Sequence, residues 1–473
     1  SARRTLALSL MTSQDNYSGV KLLYRLTVDG LDLECHTLLR HLPERRIVCA
    51  GTWNGQEVVA KIYLPHRRAR FHAWREERGV RAMLERGIVT PRLLYAGRTA
   101  TGFVLLFERI PNAQSAREVW ATADMALRGR LLEQMVQAVA AQHEAGLVQH
   151  DLHLGNFLCA EGRVYCIDGD GIRTARWLGR RRALGNLALL LAQLQPENDA
   201  LFDGAYRCYI EARGWESSDA RQKAFLERVR TRRTACIDAH LASKVFRECT
   251  AFAAQKSARR FTVIDRRYDS PALRELLDDL DRHVDAGKPL KRGRTSTVSL
   301  IAANGLPLVA KRYNIKSFWH GMLRAFQPTR AAISWRNGHR LVLYGIPTPQ
   351  PVALVEKRFG PLRNVSYVLT EYVEGENAYA FFDRCTPEEA SSIVEKIVRI
   401  LKQLRSLRLG HGDLKATNLL VGTDAVYLTD LDAMRQYRTE RSAESAHQAD
   451  LDRFMQNWND KPAVDALFRR LLN

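Results

Sequence analysis

The chain has no apolar run near the eighteen or so residues a membrane span needs. Its best, Ala183 to Leu194, is broken by Gly185 and Asn186, so no bilayer crossing is expected. The opening SARRTLALSLMTSQD sets two arginines before a short apolar stretch, yet no small-residue cleavage site follows, and no signal peptide is read there. Eight cysteines are scattered without a C-x-x-C pair or a histidine-rich partner segment. That argues against a disulfide framework and against a zinc site, and favours a reducing cytoplasm. There is no zinc-finger spacing, basic zipper or aromatic-rich RNA motif, which argues against nucleic acid as a partner. A further absence is local: residues 286–350 hold eleven Lys or Arg and not one Asp or Glu.

What is present is a globular composition, 473 residues of which 46% are hydrophobic, long enough for two domains with proper cores. The net charge of +20 points to anionic partners such as acidic membrane or phosphorylated substrate. A shift from the acidic helix-like segment Leu276 to Asp285 into DAGKPLKRGRTST suggests a boundary, with domains at 1–285 and 286–473.

Both sides of that boundary follow one order. EVVAKIY (Glu57 to Tyr63) and LVAKRY (Leu308 to Tyr313) are β-branched runs carrying a lysine; a helical stretch then ends in GIVTP (Gly87 to Pro91) or GIPTP (Gly345 to Pro349). Apolar strands VLLFERI (Val104 to Ile110) and YVLTEYV (Tyr367 to Val373) follow, then amphipathic helices at Arg130 to His143 and Ala390 to Leu404. Last come DLHLGNFLCAEGRVYCIDGD from Asp151 and DLKATNLLVGTDAVYLTDLD from Asp413, which align without a gap and agree at eight of twenty positions. This is a tandem duplication, with repeats too long for a solenoid.

Asp-x4-Asn followed by an Asp twelve residues later gives three oxygen-bearing side chains that a β-hairpin can gather, ligands suited to hard divalent cations. With a strand lysine upstream, the set resembles the protein-kinase-like superfamily. The resemblance implies an α+β fold of two tandem kinase-like domains, each a small β-rich N-lobe and a helical C-lobe, the second C-lobe abbreviated. It implies ATP and Mg²⁺, with Lys61 and Lys311 on the phosphates, Asp151 and Asp413 as bases, and Asn156, Asp168, Asn418 and Asp430 as metal ligands. Glu108 and Glu371 stand where the hinge should be, as ribose contacts or surface residues. HGD-x4-N and Asp-x-Asp look less like protein kinases than like kinases of small molecules and sugars, and VAKRYN, the GIPTP signal and LGRRRALGNLALLLAQL look like the bacterial lipopolysaccharide kinase family. That likeness implies a sugar kinase acting on heptose or Kdo of the inner core, at the cytoplasmic side of the inner membrane, with the lipid A–core acceptor as partner and the acidic membrane surface as peripheral contact.

The copies depart from the pattern unequally. Neither has G-x-G-x-x-G; Gly51, Gly55 and Gly293 suit ordinary hairpin turns. A kinase lysine needs a helix glutamate to orient it. The first copy offers Glu76 or Glu77, but the same count back from Pro349 lands on Ser334 and Trp335, inside the acid-free window. Lys311 must therefore lean on phosphates, a polar side chain, or a carboxylate from elsewhere such as Asp430. His150, His153 and Lys415 flank the expected bases, and Gln149-His150 precedes Asp151 where the second copy has His411-Gly412. The basic runs Arg180 to Arg182 and Arg228 to Arg233 read as solvated faces or as contacts for anionic substrate and lipid. A pseudokinase scaffold, or a kinase of protein or another small molecule, are the competing functions.

Overall fold

The computed structural model describes residues 20–42, 44–100, 102–293, 295–314, 327–359 and 362–472; the N-terminal SARRTLALSLMTSQD lies outside them. In the Gln56–Tyr63 strand, Val58, Ala60 and Ile62 are buried in a core with Leu33, Cys49 and Val104. The two-residue period of a strand then puts Lys61 on the other face, where Tyr63 packs with Met83 of the Ala69–Glu85 helix. The strand lies between Arg46–Trp53 and Gly102–Glu108 in an antiparallel sheet that also holds Val20–Val28, Leu31–Leu42 and Leu93–Thr99. Asn54 and Gly55, both with positive φ, turn the hairpin just before the lysine strand.

The lysine strand of the second unit, Leu306–Tyr313, sits likewise between Ser296–Ala303 and Leu362–Glu371. Its sheet continues beyond both of these neighbours. Lys288–Arg292, within the expected linker, is an edge strand. The hairpin Phe252–Lys256 and Arg260–Asp265 pairs with Pro351–Phe359. The chain therefore divides into compact units of residues 1–194 with 198–233 and 195–197 with 234–473, and the change in composition near residue 285 falls inside the second. The first unit reaches 65 residues past Asp168, fewer than a boundary at residue 285 suggests.

Both helical lobes share one order. Met125–Glu144, capped by Asp124 whose Oδ1 accepts from Leu127 N at 2.7 Å, buries Leu132, Met135, Val136 and Val139. The strand Leu147–Gln149 follows, then the hairpin Phe157–Ala160 and Arg163–Cys166, then Ile172–Thr174 and the core helix Arg180–Leu191. The second unit repeats this with Pro387–Ser406, Leu409–Gly410, Leu419–Gly422, Val426–Leu428, Arg435–Gln436 and Glu440–Met455. The best apolar run of the sequence is thus a helix packed in protein, and among the described residues no helix is long and apolar enough to cross a membrane.

Two expectations fail. Cys35 and Cys49 form a disulfide with Cα atoms 5.9 Å apart, because hairpin closure brings cysteines fourteen residues apart onto neighbouring strands. Arg233, at the end of a run read as a solvated face, is buried, its guanidinium bound to Asp199 at 2.5 Å.

The repeated five-residue signal has a physical reason. Gly87 and Gly345 take left-handed φ of 69° and 71° at the ends of their helices. Ile88 N returns to Met83 O at 3.0 Å and Ile346 N to Leu341 O at 2.9 Å, the wrapped ending that glycine permits. The next carbonyl, Val89 or Pro347, accepts from Cys166 N at 2.8 Å or Leu428 N at 2.9 Å. Each helix end is thereby pinned to the strand that leads into Asp168 or Asp430.

Candidate active sites of the two units

In the first unit Lys61 Nζ donates to Glu76 Oε1, and the other carboxylate oxygen accepts from Asp170 N at 3.0 Å. Glu76 is fully buried. Burial raises its pKa, Lys61 opposes this, and the charge of Asp168 adds to it. Glu77 faces outward and pairs with Arg81, so Glu76 is the partner. The helix can approach this closely because Gly79 lies against Gly169: a Cβ on Gly79 would stand 2.0 Å from Gly169 O. Asp170, the second acid of Asp-x-Asp, binds Arg75 Nε at 2.8 Å.

The hairpin brings Asn156 and Asp168 together. Asn156 O accepts from Ile167 N at 2.8 Å, setting Asn156 beside Asp168. Asp168 holds a left-handed conformation, φ 73°, uncommon for a residue with a Cβ. Burial pushes its pKa up, but Lys61, Glu76 and Arg46 outweigh that and leave it below the usual carboxylate range. Its Oδ1 is buried without a hydrogen-bond partner, as is Asn156 Nδ2. The anionic, unpartnered Asp168 oxygen suits a hard cation; Asn156 Oδ1, its expected co-ligand, accepts from His153 N at 2.8 Å, and no group of three or more His, Cys, Asp or Glu that could hold a metal ion is found among the described residues. Asp151 stands open, its side chain 84% exposed, with His153 Nε2 at 3.9 Å.

Sequence reasoning missed Gln149. Its Nε2 donates to Ile167 O at 3.2 Å and Asp168 O at 3.1 Å, and its own carbonyl accepts from Asn186 Nδ2 at 2.8 Å. Asn186 Oδ1 meets His143 Nε2 at 3.0 Å, and His143 Nδ1 meets Tyr209 O–H at 2.7 Å. A buried relay thus runs from the helical core to the backbone of Asp168. In the second unit His411 does the same task, its Nε2 at 3.0 Å from Thr429 O. The unlike pair Gln149 and His411 is one position filled by two different donors.

The second site has the same backbone and a different charge arrangement. Asn418 O accepts from Thr429 N at 2.9 Å, and Asp430 is again left-handed, φ 58°. Ser334 occupies the place of Glu76 and bonds Tyr313 O–H at 2.8 Å instead of the lysine. Lys311 turns to Asp430 at 2.5 Å and Asp432 at 3.3 Å, and Arg330 joins Asp432 at 2.7 Å. Burial would raise Asp430, but Lys311 outweighs it and holds the carboxyl low. Where glycine meets glycine in the first unit, Asn337 Nδ2 donates to Leu431 O at 3.0 Å and Met434 O at 2.9 Å. Asp413 is clamped by Lys415 at 2.9 Å and by Arg453, which together outweigh burial and depress its pKa. Asp450 accepts from His411 N at 2.6 Å and Gly412 N at 2.9 Å and fixes the loop; it too was missed, having no counterpart in the duplicated motif.

Glu108 and Glu371 close the last N-lobe strands, but both carboxylates are engaged. Glu108 binds Arg92 Nε at 2.6 Å and Arg92 N at 2.8 Å, and Glu371 accepts from Tyr268 O–H at 2.8 Å.

A family model described as the lipopolysaccharide kinase (Kdo/WaaP) family matches residues 53–207 and again residues 287–473. No curated protein matches the chain. Among solved structures, the BubR1 kinase domain is 17% identical over 38% of this chain and 61% of its own, with a TM-score of 0.28. WbdD is 15% identical over 43% of this chain and 52% of its own, with a TM-score of 0.32. The chain thus spans between half and two thirds of those structures.

Proposed function

Since the chain belongs to the lipopolysaccharide kinase (Kdo/WaaP) family, we propose that it transfers the γ-phosphate of ATP to a heptose or Kdo hydroxyl of the inner core. We place the chemistry in the first unit. The observation that carries this is the contrast between the lysines: Lys61 is held by a helix glutamate that leaves Asp168 Oδ1 unpartnered, whereas Lys311 rests on Asp430 itself.

In this reading Lys61, aimed by Glu76, binds the α/β-phosphates of ATP. Asp151, open to solvent, accepts the proton of the attacking sugar hydroxyl. Asn156 and Asp168 would hold Mg²⁺, which supplies charge neutralisation across the β- and γ-phosphates. Gln149 keeps the Asp168 backbone in place. Glu108, its carboxylate occupied, shapes the hinge, and Glu371 does so in the second unit.

The second unit supports the first. Asp413, held by two cations, is a poor proton acceptor, and Lys311 competes with any cation for Asp430. A lipid A–core acceptor on the cytoplasmic side of the inner membrane fits the family and the +20 charge. The test is Asp151→Asn beside Asp413→Asn, both verified as folded and assayed on isolated core acceptor. Transfer should fall by about 10² to 10⁴ in Asp151→Asn, the usual effect of removing a base, and persist in Asp413→Asn. The opposite pattern reverses the assignment, and loss of a different phosphate in each makes both units enzymes.

A further inference from the structure

The helix that holds Glu76 inward carries an unusual outer face. Residues 65–75, PHRRARFHAWR, hold four arginines and no acid. Phe71 and Trp74 are 51% and 49% exposed, and their rings stack with centroids 6.2 Å apart. Arg75 lies 5.5 Å over Phe71 and Arg78 lies 5.3 Å over Trp74. Positions 70, 71, 74, 78 and 81 share one side of the Ala69–Glu85 helix by their three- and four-residue spacing, and Arg67 lies in the turn that leads into it. Its carboxylates are already matched, Glu77 by Arg81 and Asp170 by Arg75. Trp177, 82% exposed beside the exposed Arg176, follows the neighbouring Ile172–Thr174 strand.

The second unit shows what such a face does when the chain covers it. Counted from the terminal glycines, Trp74, Glu77, Arg78 and Arg81 correspond to Ala332, Trp335, Arg336 and His339. There Trp335 Nε1 donates to Val245 O at 2.7 Å, Phe252 packs against Trp335 and His339, and Arg336 lies over Phe246. The equivalent surface is interior in the second unit, whereas Trp74, Arg78 and Arg81 are exposed among the described residues of the first.

We infer that the outer face of the Ala69–Glu85 helix, with the arginines leading into it, docks on an anionic lipid bilayer. Arginines would pair with lipid phosphates while Phe71 and Trp74 enter the headgroup layer, where amphipathic rings are at home. Charge complementarity selects this partner, since Arg67, Arg68 and Arg70, all exposed in a stretch without an acid, meet phosphate better than they meet a mixed protein surface. The inference rests on the reading that the acceptor is lipid-linked, and it brings the bilayer to the helix that orients Lys61.

The experiment is co-sedimentation of the full chain with phosphatidylcholine vesicles, with and without phosphatidylglycerol. Wild type is compared with Arg67→Glu/Arg70→Glu and with Phe71→Ser/Trp74→Ser, after thermal melts show all three folded. Wild type should sediment with the anionic vesicles and be released at 1 M salt. The charge-reversed protein should lose at least ~30-fold in partitioning, as two arginines near such a surface imply, and the serine variant should also bind less. All three should phosphorylate a delipidated, soluble acceptor equally. Variants that sediment like wild type overturn the inference, as does a wild type that ignores anionic vesicles and uses this face to capture a protein. Because sedimentation needs no turnover, absent transfer with binding intact would count against the sugar-kinase reading alone.

Discussion

His143 should make the first unit acid-sensitive. It is buried, bonded to Tyr209 and Asn186, and burial lowers its pKa to about 4. Asn186 Oδ1 requires Nε2 to donate, so Nδ1 must accept from Tyr209, and a second ring proton would break that bond. An unfolded histidine titrates near 6.5. With the folded value depressed, the stabilising contribution is complete above pH ~6.5 and is lost as pH falls toward 4, because only the unfolded chain takes up the proton. Linkage puts the loss at about 2 kcal/mol by pH 5 and about 3 kcal/mol by pH 4. The assay is urea unfolding of the full chain, following the transition of the first unit at pH 7.5, 6, 5 and 4, for wild type and His143→Asn. The comparison cancels carboxylates that titrate in both, so the stability gap should shrink by those amounts. Parallel pH curves for the two proteins would refute the reasoning, since the imidazole would then not be excluding the proton.

Three further outcomes are expected. Gly79→Ala places a Cβ 2.0 Å from Gly169 O and should cost about 1–3 kcal/mol and most of the transfer rate, whereas Gly185→Ala, with nothing within 4 Å, should be neutral or slightly stabilising in the same melts. Gln149→His should keep transfer within a few-fold, because His411 fills the same position; Gln149→Leu should strand two backbone carbonyls, cost about 1–3 kcal/mol and lower kcat. Lys311→Met should destabilise the second unit by roughly 1–3 kcal/mol, less than a fully buried pair because Arg330 still holds Asp432, and leave transfer intact in a steady-state assay.

The parts of the sites set by short spacing were readable. The Asn of Asp-x4-Asn and the Asp twelve residues later flank one hairpin, so a tight turn and a strand pair suffice to join them. The acid-free window required Lys311 to find a partner elsewhere, and Asp430 was among the partners it allowed. Asp432 and Arg330 were not foreseen, because the second acid of Asp-x-Asp does its work only once a helix some hundred residues away is in place. The hairpin at residues 252–265 escaped notice for the same reason: its pairing partner, Pro351–Phe359, lies about ninety residues on, and nothing local marks it. Gln149 was hidden by chemistry, since an amide and an imidazole look unlike in sequence yet offer the same donor. Cys35 and Cys49 share no spacing signature, and only hairpin register brings them together.

The pinning of each helix end to the strand before Asp168 or Asp430 depends on backbone atoms, one left-handed glycine and two loop positions, and on no reactive side chain. Selection on catalysis can therefore lapse in one copy without loosening it. A duplicate that had exchanged its lysine, base and metal ligands would still need the same Gly-Ile-x-Thr-Pro turn to join its lobes, so this turn is the landmark by which decayed copies of the module can be found.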